Sequence, residues 1–202
     1  MNIWLFLWAF AAFFIVGIYI WTIRITIQQK AAWKKFAENH RMEYVPGRAL
    51  GPAAVKGQYK EYGFVLYTEE QPTADVRGRR YRTVMELRLP GTMPTSGLIA
   101  APFYIAFANT LDLPVTVTPE FEGWHEGTIV RTKDEEKLKS YLTPERLKVL
   151  NSLMATKTAN PLLIFDEREC YLRFETADPM TEDGLIEKIA DKLATAANIL
   201  KI

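Results

Sequence analysis

Ile3-Trp4-Leu5-Phe6-Leu7-Trp8-Ala9-Phe10-Ala11-Ala12-Phe13-Phe14-Ile15-Val16-Gly17-Ile18-Tyr19-Ile20-Trp21-Thr22-Ile23 carries no charged side chain, and the first one after it is Arg24. As a helix rising about 1.5 Å per residue, these 21 residues cover roughly 31 Å, against ~30 Å for the hydrocarbon layer of a bilayer. Trp4 and Trp8 at one end, and Tyr19 and Trp21 at the other, are amphipathic rings of the kind that settle among lipid headgroups. A cleaved secretory leader would open on a basic n-region, carry a shorter apolar core and close on small residues. This segment matches none of those features well. A buried helix of a soluble protein is also disfavoured, because a helix apolar all round over that length needs protein on every side. Residues 1–23 are therefore expected to form a retained transmembrane helix.

Charge asymmetry predicts the orientation. Arg24, Lys30, Lys34, Lys35, Arg41 and Arg48 follow the apolar run, and nothing basic precedes it except the amino terminus. The positive-inside rule then places the N-terminus outside and the large domain in the cytoplasm, on the inner side of a cytoplasmic membrane. Residues 24–48 hold six basic and two acidic side chains, while the rest of the chain holds 19 basic against 22 acidic. Positive charge is thus concentrated beside the membrane, where each Lys or Arg gains about 1 kcal/mol from anionic lipid. A net charge of +1 argues against bulk nucleic-acid binding. The single cysteine, Cys170, excludes an internal disulfide and fits a reducing compartment.

Past Ile23 the helix is expected to continue, with residues 24–41 as an amphipathic juxtamembrane extension lying on the surface or rising from it, where Ile25, Ile27, Ala31, Ala32, Trp33, Phe36 and Ala37 stand among charged and amide side chains. Together with Trp4, Trp8, Tyr19 and Trp21, the residues Arg24, Lys30, Trp33, Lys34 and Lys35 form the expected membrane-interface set. Trp33 fits a contact with the soluble domain equally well. Residues 42–202 are long enough for one domain with a sizeable core.

Within that domain, Met42–Val45 reads as a short strand, and Val55–Tyr59 with Phe64–Thr68 as a hairpin. Tyr81, Thr83, Met85, Leu87 and Leu89 alternate with Arg80, Arg82, Glu86 and Arg88, the pattern of a half-buried strand. From Leu89 to Leu111 there is no charge, but Pro102 interrupts an apolar portion already too short to span a bilayer. The expectation there is a Pro-rich loop entering a buried strand, Phe103–Phe107; a loop dipping into the membrane interface or a partner groove is the alternative. Leu113–Thr118 and Thr128–Arg131 read as further strands. Asp134-Glu135-Glu136 opens a helix, and Thr143-Pro144-Glu145 restarts one with an N-cap and a proline at the first helical position. Pro161–Phe165 and Tyr171–Phe174 flank Asp166-Glu167-Arg168-Glu169 as a second hairpin, and a last helix begins near Thr181. The predicted class is α+β: one transmembrane helix, then a mostly antiparallel sheet with the C-terminal helices packed on it.

A family likeness rests on Phe36-Ala37-Glu38-Asn39-His40, Val55-Lys56-Gly57-Gln58-Tyr59, Tyr81–Leu87, Pro119-Glu120-Phe121-Glu122 before Thr128-Ile129-Val130, and Tyr141-Leu142-Thr143-Pro144-Glu145. The layout resembles a group of uncharacterised bacterial membrane-anchored proteins with an N-terminal hydrophobic helix and one domain of unknown function. The resemblance spans most of residues 33–200. It implies the architecture and no established activity. The pattern shows Asp where this chain has Glu122, which argues against a fixed catalytic role there.

No phosphate-cradling glycine loop, paired-histidine metal motif or nucleophile elbow is present. Glu120, Glu122, His125 and Glu126 put four potential metal ligands within seven residues, yet an acidic surface loop accounts for them better. Cys170 reads as a small buried hydrophobe rather than a nucleophile served by His40 or His125. Asp166, Glu167 and Glu169 read as solvated turn carboxylates rather than an acid/base pair. Arg77, Arg79, Arg80 and Arg82 form the most suggestive cluster, because guanidinium forks match phosphate and carboxylate oxygens; Glu69, Glu70 and Asp75 are nearby partners that would neutralise it. The leading expectation is a membrane-anchored interaction or accessory module, a subunit of a larger membrane assembly. Its expected partners are the lipid bilayer and other membrane proteins or further copies of itself, with no cofactor and no nucleic acid. The first alternative is a surface sensor binding anionic lipid or a phosphorylated ligand through the arginines, and the second a membrane-tethered metal-dependent enzyme using the Glu120–Glu126 loop.

Overall fold

The computed structural model describes residues 3–48, 51–71, 80–91 and 93–201. The quoted apolar stretch opens helix α1, Ile3–Asn39, whose 37 residues extend about 55 Å. Its first part is exposed on all sides: Phe13 is 84% exposed and Trp8 74%, so this helix is long and apolar enough to cross a membrane. Thr22 and Thr26 donate their hydroxyls to the carbonyls of Ile18 and Thr22, at 2.9 and 3.0 Å, and so need no outside partner. From Ile23 onward one side of α1 becomes half-buried, and Ala32, Trp33, Phe36 and Ala37 are buried outright.

The helix continues past Ile23 without a break, as far as Asn39. One expectation is corrected here. Trp33, expected at the membrane interface or against the domain, is fully buried in the domain core. The stripe formed by residues 32, 33, 36 and 37 fits a lipid surface or a protein core equally well by periodicity. The core prevails because Phe36 packs its ring 5.9 Å from Tyr59 and 5.6 Å from Phe64. The helix ends at a left-handed Arg41 (φ 55°), with the Arg41 and Met42 N–H groups donating to the carbonyls of Glu38 and Ala37. That is the Schellman arrangement, made here without its usual glycine.

After α1 come β1 Glu43–Val45, β2 Ala54–Tyr59, β3 Tyr62–Gln71, β4 Arg80–Leu89 and β5 Gly97–Ala100, then α2 Ile105–Ala108, β6 Val115–Thr116 and β7 Ile129–Thr132. The chain finishes with α3 Glu135–Tyr141, α4 Pro144–Met154, β8 Ala159–Phe165, β9 Cys170–Thr176 and α5 Asp183–Leu200. The strands form one antiparallel sheet in the order β1-β2-β3-β4-β9-β8-β5-β7-β6. The molecule is α+β, with the apolar N-terminal helix followed by a sheet and the C-terminal helices packed on it.

The helix starts follow from local chemistry. Asp134 accepts the Lys137 N–H to cap α3, and Thr143 accepts that of Arg146 to cap α4, with Pro144 at the first helical position. Alternation sorts the strands between two faces. Tyr62, Phe64 and Leu66 of β3, Met85, Leu87 and Leu89 of β4, and Leu172 and Phe174 of β9 meet the end of α1 and the C-terminal helices in the main core. The opposite face carries a second, smaller cluster of Leu98, Ala100, Tyr104, Ala108, Leu113 and Leu162.

The predicted strand Phe103–Phe107 is not a strand. Pro102–Tyr104 is a 3₁₀ turn leading into α2, and Phe103, Ile105 and Phe107 are 41–50% exposed. The buried strand of this region is β5, which lies between β7 and β8. With both faces covered it shows no alternation. Gly97 is required there, since a Cβ would meet the Phe165 ring at 2.6 Å and the Arg131 carbonyl at 2.9 Å. Pro102 sits at the start of the 3₁₀ turn, where its fixed φ suits a helical entry. The strand expected over Leu113–Thr118 is reduced to Val115–Thr116.

Candidate functional site

Two features meet at the end of the sheet nearest the apolar part of α1: a polar network on the face opposite the main core, and a groove beside α1. The network arises from the alternation of β3, β4 and β9. Register places Glu86 opposite Arg173, and Glu69 opposite Arg82. The Arg173 guanidinium donates to Tyr67 Oη and Glu86 Oε1, both at 3.1 Å, to Glu175 Oε2 at 3.3 Å, and to Glu69. Glu175 is 1% exposed; it accepts from Tyr104 Oη at 2.8 Å and from the Gln71 amide. A carboxylate so deeply buried requires such donors, since an uncompensated buried charge is strongly destabilising.

The electrostatics follow from that packing. Burial pushes the Tyr104 phenol well above its ordinary range, and the Glu175 carboxylate adds to the shift. Tyr67 is raised in the same way, by burial first. Both phenols therefore stay protonated and act as donors. On Arg173, burial opposes the charge, but Tyr104, Tyr67 and Glu69 outweigh it and hold the guanidinium charged. Arg173 thus draws three carboxylates and a phenol together, while its own buried Nε has no partner among the described residues.

Arg82 connects the network to the groove. Its Nε donates to Gln71 Oε1 at 3.0 Å and lies 3.5 Å from Glu175 Oε1, while its guanidinium carbon sits 4.8 Å from the Phe103 ring centre. The groove, about 330 Å³, is lined by Tyr19, Thr22, Ile23 and Thr26 of α1 and by Tyr81, Arg82 and Thr83 of β4. Arg82 is the basic residue among those lining this cleft, and its guanidinium, held by Gln71 and Glu175, is of a type that binds phosphate and carboxylate oxygens. Of the expected arginine cluster, Arg77 and Arg79 lie outside the described residues, as does Asp75, and Arg80 opens β4. Glu69, expected to neutralise that cluster, turns instead to Arg173.

The three lysines expected at the membrane interface make protein contacts. Lys30 donates to the Arg48 carbonyl at 2.6 Å, Lys34 lies 3.7 Å from Glu38, and Lys35 pairs with Asp183 at 2.8 Å. Arg24, Trp4, Trp8, Tyr19 and Trp21 are exposed along α1.

The acidic loop forms no metal centre. Glu120, Glu122 and Glu126 are exposed, and among the described residues no group of three or more potential metal ligands converges. The loop is shaped by Phe121 and Trp124, which pack against the core, and by the His125 N–H donating to Asn151 Oδ1 at 2.6 Å. Cys170 is buried and its thiol is pushed up to about 12, chiefly by burial, which removes it as a nucleophile. Asp166 caps its own hairpin by accepting the N–H groups of Arg168 and Glu169 at 2.7 Å, and Glu169 pairs with Arg88 at 2.8 Å. These carboxylates shape a turn.

Sequence reasoning missed Arg173, Glu175, Tyr104 and Tyr67. One signal was present: Tyr171, Arg173 and Glu175 alternate with Leu172 and Phe174, as the polar side of a strand does. No family model, curated protein or solved structure matches this chain.

Proposed function

We propose that this chain is a single-pass membrane protein whose α+β domain works at the cytoplasmic surface as a non-catalytic interaction or accessory module. The observation that carries this reading is the behaviour of α1: an exposed apolar helix of membrane-spanning length continues without a break into the domain core at Trp33 and Phe36. Only about 14 Å of helix separates Ile23 from Ala32, so the domain is held against the membrane rather than swung on a linker. The basic residues that follow the apolar stretch favour the cytoplasmic side. The engagement of Glu175 by internal donors, the buried Cys170 and the dispersed acidic loop support a binding role over a catalytic one.

The test is carbonate extraction with protease protection of the full chain. The protein should resist extraction, and its domain should be cut in inverted vesicles and shielded in intact spheroplasts; the reverse pattern of cleavage refutes the orientation. Copurification from mild detergent then tests the accessory role, and a monomer that recruits nothing refutes it.

The groove favours a second reading, in which Arg82 engages an anionic lipid headgroup or a phosphorylated ligand. Mass spectrometry of lipids retained by the purified protein tests it. Arg82→Gln should lose anionic lipid that Arg82→Lys keeps, and equal retention by all three forms refutes it.

A further inference from the structure

We propose that the 3₁₀ turn Pro102–Tyr104 and α2 form a second membrane contact, with Phe103, Ile105 and Phe107 seated at the headgroup–acyl boundary of the leaflet from which α1 emerges. The proposal rests on the reading of α1 as a membrane span. Isolated exposed apolar side chains are ordinary on a protein surface. Here three lie within five residues, at 41, 50 and 41% exposure, while the intervening Tyr104 and the following Ala108 are buried on the other side. The surrounding sequence, Leu89 to Leu111, contains no carboxylate that an anionic surface would repel.

The display is built rather than loose. Tyr104 donates to Glu175 at 2.8 Å and to the Asn160 carbonyl at 3.3 Å, anchoring the turn to β9 and β8. Arg131 donates to the Ala108 carbonyl at 3.1 Å and to Asn109 Oδ1 at 2.7 Å, holding the far end of α2. The Phe107 carbonyl accepts from the Thr110 hydroxyl at 2.7 Å and the Thr110 N–H at 2.9 Å, and the Ile105 carbonyl accepts from the Asn109 N–H at 3.1 Å. These are the carbonyls that a helix end normally leaves for water. Satisfying them internally is what backbone entering a water-poor layer requires.

Position selects lipid as the occupant. Phe103 stacks on Arg82, and Arg82 lines the groove against Tyr19, Thr22 and Ile23 of α1. The patch therefore lies at the same end of the sheet as the point where the apolar part of α1 leaves the domain, and Tyr81, 50% exposed, lies at that end too. Apolar groups seated about 5–10 Å into the boundary with a cation at headgroup level describe an interfacial anchor.

Depth-dependent quenching of the full chain in nanodiscs tests the proposal. Single cysteines, in a Cys170→Ala background, carry an environment-sensitive fluorophore at Ile105→Cys, at Ala12→Cys within α1, and at Glu167→Cys in the β8–β9 turn at the opposite end of β9. Nitroxide-labelled lipids are then added. The Ile105 probe should be quenched several-fold more by a shallow nitroxide than the Glu167 probe, and Ala12 should be quenched by a deep one. Quenching at Ala12 with none at Ile105 overturns this proposal and leaves the span intact; no quenching at Ala12 overturns both. A blue-shifted but unquenched Ile105 probe points to a protein partner or a second copy, and also overturns it. Phe107→Cys is a second labelling position should Ile105→Cys disturb the fold.

Discussion

Replacing Arg173 with methionine removes the hub of the polar network while keeping an unbranched apolar stem. Four acceptors lose their shared cation: Glu69, Glu86, Glu175 and the Tyr67 hydroxyl. Glu69 and Glu86 have side chains 42% and 25% exposed, so water can replace part of what they lose. Glu175, at 1%, has no such recourse and among the described residues keeps Tyr104, Gln71 and the more distant Arg82. Breaking a buried pair from one side costs about 3–5 kcal/mol, and for a chain of this size that lowers the melting temperature by roughly 6–20 °C. Thermal and denaturant unfolding of the full chain in detergent micelles measures it. Glu175→Gln in the Arg173→Met background removes the stranded charge and should recover about 2 kcal/mol, a coupling of the size expected for residues sharing one network. A loss below about 1 kcal/mol for Arg173→Met, or no recovery on adding Glu175→Gln, would refute the view that this network holds a buried carboxylate in place.

Phe36→Ala and Phe13→Ala make the same change on one helix with opposite expectations: the first should destabilise the domain by about 3–5 kcal/mol through the cavity it leaves beside Tyr59 and Phe64, and the second should leave domain unfolding in micelles unchanged. Equal effects would show that the core does not begin within α1. Cys170, with its thiol pushed up to about 12, remains protonated as pH rises to 9 and should resist alkylation in the folded protein at pH 7 through 9 alike. Alkylation should become rapid only in denaturant, and prompt reaction of the native chain at pH 8 would contradict its burial.

Much of this molecule is legible from local chemistry. The apolar stretch of α1, the alternation of β4, the Thr143-Pro144 start of α4 and the hairpin around Asp166 are each specified by neighbouring residues, through charge-free length, period-two patterning, capping and turn geometry. Tertiary structure decided what local rules leave degenerate. The stripe around Trp33 suits lipid or protein, and only the packing of Phe36 against β2 and β3 resolves it. The apolar run after Pro102 suits a strand or an exposed turn; pairing of Gly97–Ala100 between β7 and β8 occupies the buried position and leaves Phe103, Ile105 and Phe107 outside. The Arg173 network is the extreme case, because its ends lie 104 residues apart in the chain at Glu69 and 71 apart between Tyr104 and Glu175. A partner at that separation is chosen by strand register, which places whole faces of the sheet opposite one another and is a property of the assembled fold rather than of any segment.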